Sequence, residues 1–182
     1  MFRRDPLADP EPLLRRVYSY VSYRIGPGAD AEDVTSETYA RALRARATYD
    51  PSRGAPVAWL LGIARRCLAE AMAARPVPVG EIPERADGED LEERTLRRLA
   101  LAAALAGLDE REQELIALRY GADLSARRIG EILGLKTNTV EVALRRALLR
   151  LRDRLEPTGQ EMGSSDCIER DDVIGPEREA LT

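Results

Sequence analysis

Histidine is absent from the 182 residues, and that absence removes a large block of chemistry. A Ser/His or Cys/His nucleophilic pair, an imidazole general base and a His-ligated metal all need a side chain this chain lacks. Cysteine is nearly absent too: Cys67 and Cys167 are the only two and lie far apart, too few thiolates for a zinc or iron-sulfur cage or a disulfide framework. A reducing, cytoplasmic setting is the expectation. Aromatic residues make up 4%, with one Trp and one Phe, and Lys136 is the only lysine. No apolar h-region follows Met1 and no run of eighteen apolar residues occurs anywhere, so neither a signal peptide nor a membrane span is expected. Without a metal-ligand cluster, a Gly-rich phosphate loop or a nucleophile beside a base, the chain reads as no enzyme, with no cofactor and no metal.

What is present is Ala, Leu, Arg and Glu in quantity, with 44% hydrophobic and 33% charged residues and a net charge of -4. Apolar residues recur at spacings of three and four, and strand-like alternation is missing, so the fold class is all-α. The punctuation divides the chain into two small helical domains joined by a flexible acidic linker. In the first, residues 1–75, Pro12 opens a helix with an inward stripe of Leu14, Val17, Tyr18, Val21 and Ile25, stopped at Gly26-Pro27-Gly28. Asp30 is placed to cap a second helix running to about Arg46. A loop over Tyr49 to Gly54 leads to Pro56, which starts a third helix burying Val57, Leu60, Leu61, Ala64, Leu68 and Met72 and ended by Pro76. Residues 76–90 interleave Pro and Gly with Glu81, Glu84, Asp87, Glu89 and Asp90, the composition of a linker. Helical spacing resumes at Leu91, breaks at Gly107 and restarts behind Asp109, which stands three residues before Glu112 as in a capping box. That second domain covers 91–156. Residues 157–182 carry seven acids against two bases with little apolar content, and read as a disordered tail.

The strongest local signal runs from Leu124 to Leu155. Ser125 is placed to cap a short helix with Ile129 and Leu133 inward, Gly134 to leave it through a left-handed residue, and Gly130 to permit a close approach. Leu135 and Val140 then fill the angle to the next helix, which starts at Thr137 or Asn138 and buries Val140, Leu144, Ala147, Leu148 and Leu151. This is the spacing of a helix-turn-helix. The outward side of its second helix offers Lys136, Thr137, Asn138, Thr139, Glu141, Val142, Arg145 and Arg146. From Lys136 to Leu155 six bases face two acids, +4 locally in a chain that is -4 overall, which suits an element facing phosphates. Glu141 has two open roles: reading a base, or closing a capping box behind Asn138.

With these residues on the page, a family resemblance follows. The run from Leu108 to Tyr120, then Leu124-Ser125, Ile129 to Gly134 and Asn138 to Ala147, resembles region four of sigma-70 family RNA polymerase sigma factors. Ala31-Glu32-Asp33-Val34 to Tyr39, then Trp59 to Arg66, resembles region two of the extracytoplasmic-function (ECF) group. The likeness spans roughly residues 10 to 156. It implies a sigma factor that binds core RNA polymerase through Asp33, Glu37, Tyr39 and Arg41 and directs it to promoter DNA. It also implies minus-ten contacts from Arg53 in the Tyr49 to Pro56 loop and from Trp59, Arg65 and Arg66, with minus-thirty-five reading from Lys136 to Arg146. The acidic linker would thread toward the polymerase active-centre channel, and an anti-sigma factor is an admissible further partner. The chain departs from the family pattern at Ser36, Arg66, Glu70 and Met72-Ala73-Ala74. Trp59, on an apolar helix, also fits a place in the core. Two other readings stay open: a helix-turn-helix regulator that acts without polymerase, and a sigma-like adaptor that no longer reads promoters.

Overall fold

The computed structural model describes residues 5–74 and 89–156. Among them every regular element is helical: α1 (Pro10–Ile25), α2 (Ala29–Ala45), α3 (Pro56–Ala74), α4 (Glu89–Ala106), α5 (Glu110–Ile116), α6 (Ala126–Leu133) and α7 (Thr137–Leu155). Two 3₁₀ turns, Arg46–Thr48 and Pro51–Arg53, lie between α2 and α3, and a π-helical turn, Ala117–Gly121, continues α5. The linker, apart from its last residues, and the acidic tail lie outside the described residues.

Local chemistry explains most of the boundaries, and several fall away from where the sequence pattern puts them. Pro10, not Pro12, opens α1, and Pro12 follows within the same first turn. There its missing N–H costs nothing, because that group would have no helical acceptor. Helix α2 starts at Ala29 behind Gly28, so Asp30 sits inside the first turn rather than at the cap, where its charge still opposes the positive helix end. Helix α4 begins at Glu89, two residues before Leu91. At the start of α5 the capping box forms in full. The Glu112 amide donates to the Asp109 carboxylate at 2.8 Å, and the Asp109 amide donates back to Glu112 at 3.3 Å.

The first lobe is a three-helix unit. Val17, Tyr20 and Val21 of α1 close on Ala31, Val34 and Ala42 of α2 and on Val57, Leu60, Leu61, Ala64 and Leu68 of α3. The expected α1 stripe omits Tyr20, which is fully buried, while Leu14, Tyr18 and Ile25 are only half-buried. Met72, expected inside, is exposed, because the last turns of α3 run past the end of the lobe. In the second lobe α5, α6 and α7 enclose Leu115, Leu118, Leu124, Ile129, Val140 and Leu144. Leu105 and Leu108 hold the end of α4 against Ile116 and Ala147. Leu148, expected inside, is exposed, and Leu151 is half-buried.

The two lobes are not separate bodies in this structure. One apolar core runs through both, from Leu7 and Val17 across to Leu118, Ala122 and Val140. Helix α1 lies directly against the π-helical turn. A Cβ on Gly121 would stand 2.8 Å from the Tyr20 Cα and 3.0 Å from the Ser19 carbonyl oxygen, so only glycine permits that approach.

Candidate nucleic-acid interface

Three clusters of expected functional residues emerge, each set by a different part of the fold. The first is the helix-turn-helix. The Ser125 hydroxyl accepts from the Arg128 amide, capping α6, and Gly134 ends α6 in the left-handed region at φ 68°. The Leu135 amide donates to the Gly130 carbonyl at 2.9 Å, which draws the turn so tightly against α6 that a Cβ on Gly130 would stand 2.5 Å from the Leu135 carbonyl oxygen. Glycine at 130 is therefore a condition of the turn.

That turn aims α7. Val140, Leu144 and Ala147 are buried, which fixes the helix's rotation about its axis. Lys136, Thr137, Asn138, Thr139, Glu141, Val142, Arg145 and Arg146 are all left exposed, as the sequence pattern requires. Shallow grooves flank this ridge. Asn138, Thr139, Val142 and Arg146 line the one toward α5, and Glu141 and Arg145 line the other. Thr137 is the first helical residue, and Lys136 precedes it without a side-chain cap. Asn138 is therefore not the cap, and the capping-box role for Glu141 is not the one this helix uses. Arg150, one of the six bases between Lys136 and Leu155, is exposed but already paired within its own lobe: it bonds Glu112 and lies 3.7 Å from Asp109. Arg128 likewise bonds Glu131 at 2.7 Å, which, with Arg127, holds the Glu131 carboxyl below its ordinary 4.5.

The second cluster is the outer face of α2. Asp33 is exposed, and Glu37, Tyr39 and Arg41 are half-buried. Arg41 is bracketed by two carboxylates, Glu37 at 2.6 Å on its own helix and Glu70 at 2.8 Å on α3. Hydrogen bonds from Arg41 push both carboxyls below 4.5. One departure from the family pattern, Glu70, is thus tied to an expected polymerase-facing residue.

The third cluster is the loop before α3 with the helix itself. Asp50 accepts from the Ser52 amide at 3.0 Å, and the Tyr49 hydroxyl donates to the Gly54 carbonyl at 2.9 Å, so the loop is held closed on itself. The Tyr49 and Trp59 rings stand 5.6 Å apart and tilted, within the range of favourable aromatic pairs. Trp59 is half-buried and packs against the core. Arg53 and Arg66 are exposed. Arg65 is different: its guanidinium lies 2.8 Å from Glu114 of the other lobe.

Sequence reasoning missed the group around Glu114. This carboxylate is nearly buried and accepts from the Tyr20 hydroxyl at 2.8 Å and from Arg24, whose side chain is 5% exposed. Burial, then the negative charge of Glu114, push the Tyr20 phenol well above its ordinary range. Beside it, Arg16 donates to the carbonyls of Ala122 and Asp123 at 2.6 and 2.7 Å. Nothing local marks it out, because Glu114 ends the charged run that begins at Asp109, and Tyr20 and Arg24 lie some ninety positions earlier.

An all-α chain with an exposed, locally basic second helix of a helix-turn-helix, on one chain with a three-helix lobe, defines a DNA-binding transcription protein. The profile described as sigma-70 region 2 matches residues 11–75 and that of sigma-70 region 4 matches 104–153. The chain is similar to the ECF RNA polymerase sigma factor ShbA of Streptomyces griseus, 35% identical over 132 residues that cover 66% of this chain and 69% of that one. It is also similar to the ECF RNA polymerase sigma factor BldN of Streptomyces coelicolor, 32% identical over 143 residues that cover 74% of this chain; the chain spans about half of that relative, 54% of its length. Among solved structures, the sigma factor RpoE of Bartonella quintana, in complex with the anti-sigma factor NepR, shares the fold. The TM-score is 0.60, with 20% identity over 80% of this chain and 92% of that one. The chain belongs to the ECF group of sigma-70 family RNA polymerase sigma factors. No described helix is long and apolar enough to cross a membrane.

Proposed function

We propose that this protein joins core RNA polymerase in the cytoplasm and directs it to a subset of promoters, supplying contacts and no bond-making chemistry of its own. Helix α2 offers Asp33, Glu37, Tyr39 and Arg41 to the polymerase. Arg53, Trp59, Arg65 and Arg66 take the minus-ten element, where a base must be captured out of the stack, a task suited to an aromatic-lined loop edge. Helix α7 enters the major groove at the minus-thirty-five element: Asn138 and Glu141 are chemically matched to adenine and cytosine edges, Val142 to a thymine methyl, and Arg145 and Arg146 to phosphates. An anti-sigma factor is a further class of partner this reading admits.

The observation that carries the proposal is the orientation of α7: burial of Val140, Leu144 and Ala147 leaves a continuous outward face of Asn138, Thr139, Glu141, Val142, Arg145 and Arg146. The region-two lobe on the same chain favours action with polymerase over a free-standing regulator. The test is transcription from cognate genomic DNA by core polymerase with and without the purified protein, with start sites mapped. The proposal expects new starts that share one pair of upstream elements. An unchanged set of starts contradicts it.

A further inference from the structure

One groove of the second lobe is not explained by promoter reading. It lies between the π-helical turn and α7, has a volume of about 600 Å³, and is lined by Tyr120, Leu148 and Leu149 together with Arg119, Arg145 and Arg152. Tyr120, Leu148 and Leu149 are all exposed. Adjoining exposed apolar side chains of this kind mark a surface that another segment of protein covers. DNA does not account for them. Leu148 and Leu149 lie two turns beyond Glu141 and Val142, about 10 Å further along the axis, and phosphates offer nothing to leucine. The three guanidinium groups give the sign of the occupant. Glu141 is the one acid among the described lining residues, and Arg152 is met at 3.4 Å by the exposed Asp153, a contact that contributes little.

The chain carries a segment of matching chemistry a short distance on. Asp166-Cys167-Ile168-Glu169-Arg170-Asp171-Asp172-Val173-Ile174 sets four acids against one base and interleaves them with two apolar pairs, Cys167-Ile168 and Val173-Ile174. Its reach is sufficient. Arg145 stands about 15 Å before the end of α7 at Leu155, whereas residues 156–165 span up to roughly 33 Å when extended. A segment tethered by so short a connection is present at an effective concentration in the millimolar range. The tether therefore gives it precedence over a second copy, or a separate protein, of equal intrinsic affinity.

We propose that residues 166–174 fold back onto this groove and compete there with promoter DNA for the Glu141 and Arg145 end of α7. Their apolar pairs pack on Tyr120, Leu148 and Leu149, and their carboxylates meet Arg119, Arg145 and Arg152. The competition rests on the sigma-factor reading above; the docking does not. A carboxylate on Arg145 takes the guanidinium that a phosphate would use, so DNA must displace the segment before α7 is fully engaged. Apparent affinity for the minus-thirty-five element is then reduced by the fraction of chains whose groove is open.

Two measurements on the full chain test this. In the first, Leu149→Cys places a thiol in the groove, and its rate of disulfide formation with Cys167 in a glutathione redox buffer is compared with that of Leu43→Cys, at an exposed position of the first lobe. Cys67 is buried and takes no part. The expected result is pairing within one chain at least about tenfold faster from position 149 than from position 43. Equal rates, or pairing only between two chains, overturn the docking and leave the groove to a second copy or to polymerase. In the second, Asp166→Asn, Glu169→Gln, Asp171→Asn and Asp172→Asn are combined, and binding of the polymerase complex to a minus-thirty-five duplex is titrated. Affinity should rise about tenfold if covered grooves outnumber open ones by about ten to one. Fast pairing with unchanged affinity overturns the competition with DNA. If pairing is fast and neither the wild type nor the variant binds the duplex with polymerase, the docking stands and the sigma-factor reading fails.

Discussion

The Tyr20 hydroxyl donates to the Glu114 carboxylate at 2.8 Å across 94 positions of sequence, joining the first helix of one lobe to the cap-proximal helix of the other. Tyr20 is fully buried, so its hydroxyl has no water to fall back on. Tyr20→Phe keeps the ring and removes the donor, leaving Glu114 to Arg24 and Arg65. The expected loss is about 1 to 2 kcal/mol, the cost of a buried hydrogen bond to a charged group. Thermal unfolding should show it as a fall of a few degrees, whereas an unchanged midpoint would mean that the bond adds nothing to the docked state.

Asp109 has two roles, capping α5 and standing near Arg150. Asp109→Ala should cost about 1 kcal/mol through removal of the cap. Asp109→Asn retains most of the capping and should recover most of the loss, since the Arg150 contact at 3.7 Å is exposed and exposed pairs contribute little. Denaturant midpoints of the three proteins separate the two contributions.

At the turn of the helix-turn-helix, Gly130→Ala places a methyl 2.5 Å from the Leu135 carbonyl. Backbone must move to admit it, an overpacking cost of about 1 to 3 kcal/mol. The more telling result is functional: a shifted turn re-aims α7, so sequence-specific binding at the minus-thirty-five element should fall further than stability does. Equal binding by the folded variant would show that the turn does not position the reading face.

The Arg41 bracket makes a pH statement. Glu37 and Glu70 have carboxyls depressed below 4.5 by Arg41, so the network's contribution is fully present above about that pH and is lost as pH falls through the depressed values. Glu70→Gln should lower stability slightly on the neutral side, by little because the pair is exposed, and leave the fully acid end unchanged, so the fall in stability on acidification is shallower. If the proposed polymerase face is correct, the same variant releases one of the two holds on Arg41 and alters polymerase affinity.

Much of this organisation is legible in the sequence because it is local. The capping box at Asp109, the left-handed exit at Gly134 and the buried side of α7 at Val140 and Leu144 follow from spacings of three to six residues. The errors fall where local rules compete or end. Either Pro10 or Pro12 would suit a first turn, Met72 keeps the helical period past Leu68, the last buried residue of α3, and Leu148 lines an exposed groove with Tyr120 beside the buried Ala147. Glu114 is invisible for another reason. A buried acid is explained only by its partners, and Tyr20, Arg24 and Arg65 are brought to it by docking of the lobes. Arg150 looks like a DNA-facing base until Glu112 is found beside it.

Reading of the promoter by α7 predicts two different mutational signatures. Arg145→Ala and Arg146→Ala should weaken promoter binding about equally on all sequence variants and reduce the salt slope by about one unit for each phosphate no longer neutralised. Glu141→Ala should relax preference at one base pair by about 1 to 3 kcal/mol with little change in salt dependence. A binding series over single-substitution promoters at several salt concentrations distinguishes the two.

The central claim, that the two lobes act together on a promoter through polymerase, is tested most directly by footprinting one promoter fragment with the chain alone, core polymerase alone and the two combined. The account predicts two protected segments, one at each element and in fixed spacing, only in the combined sample. Charge reversal at Asp33, which is exposed, should abolish both together without unfolding the protein, since exposed substitutions cost at most about half a kcal/mol. Specific protection by the chain alone, unaltered by polymerase or by that reversal, would contradict the account and mark the protein as a regulator that acts without polymerase.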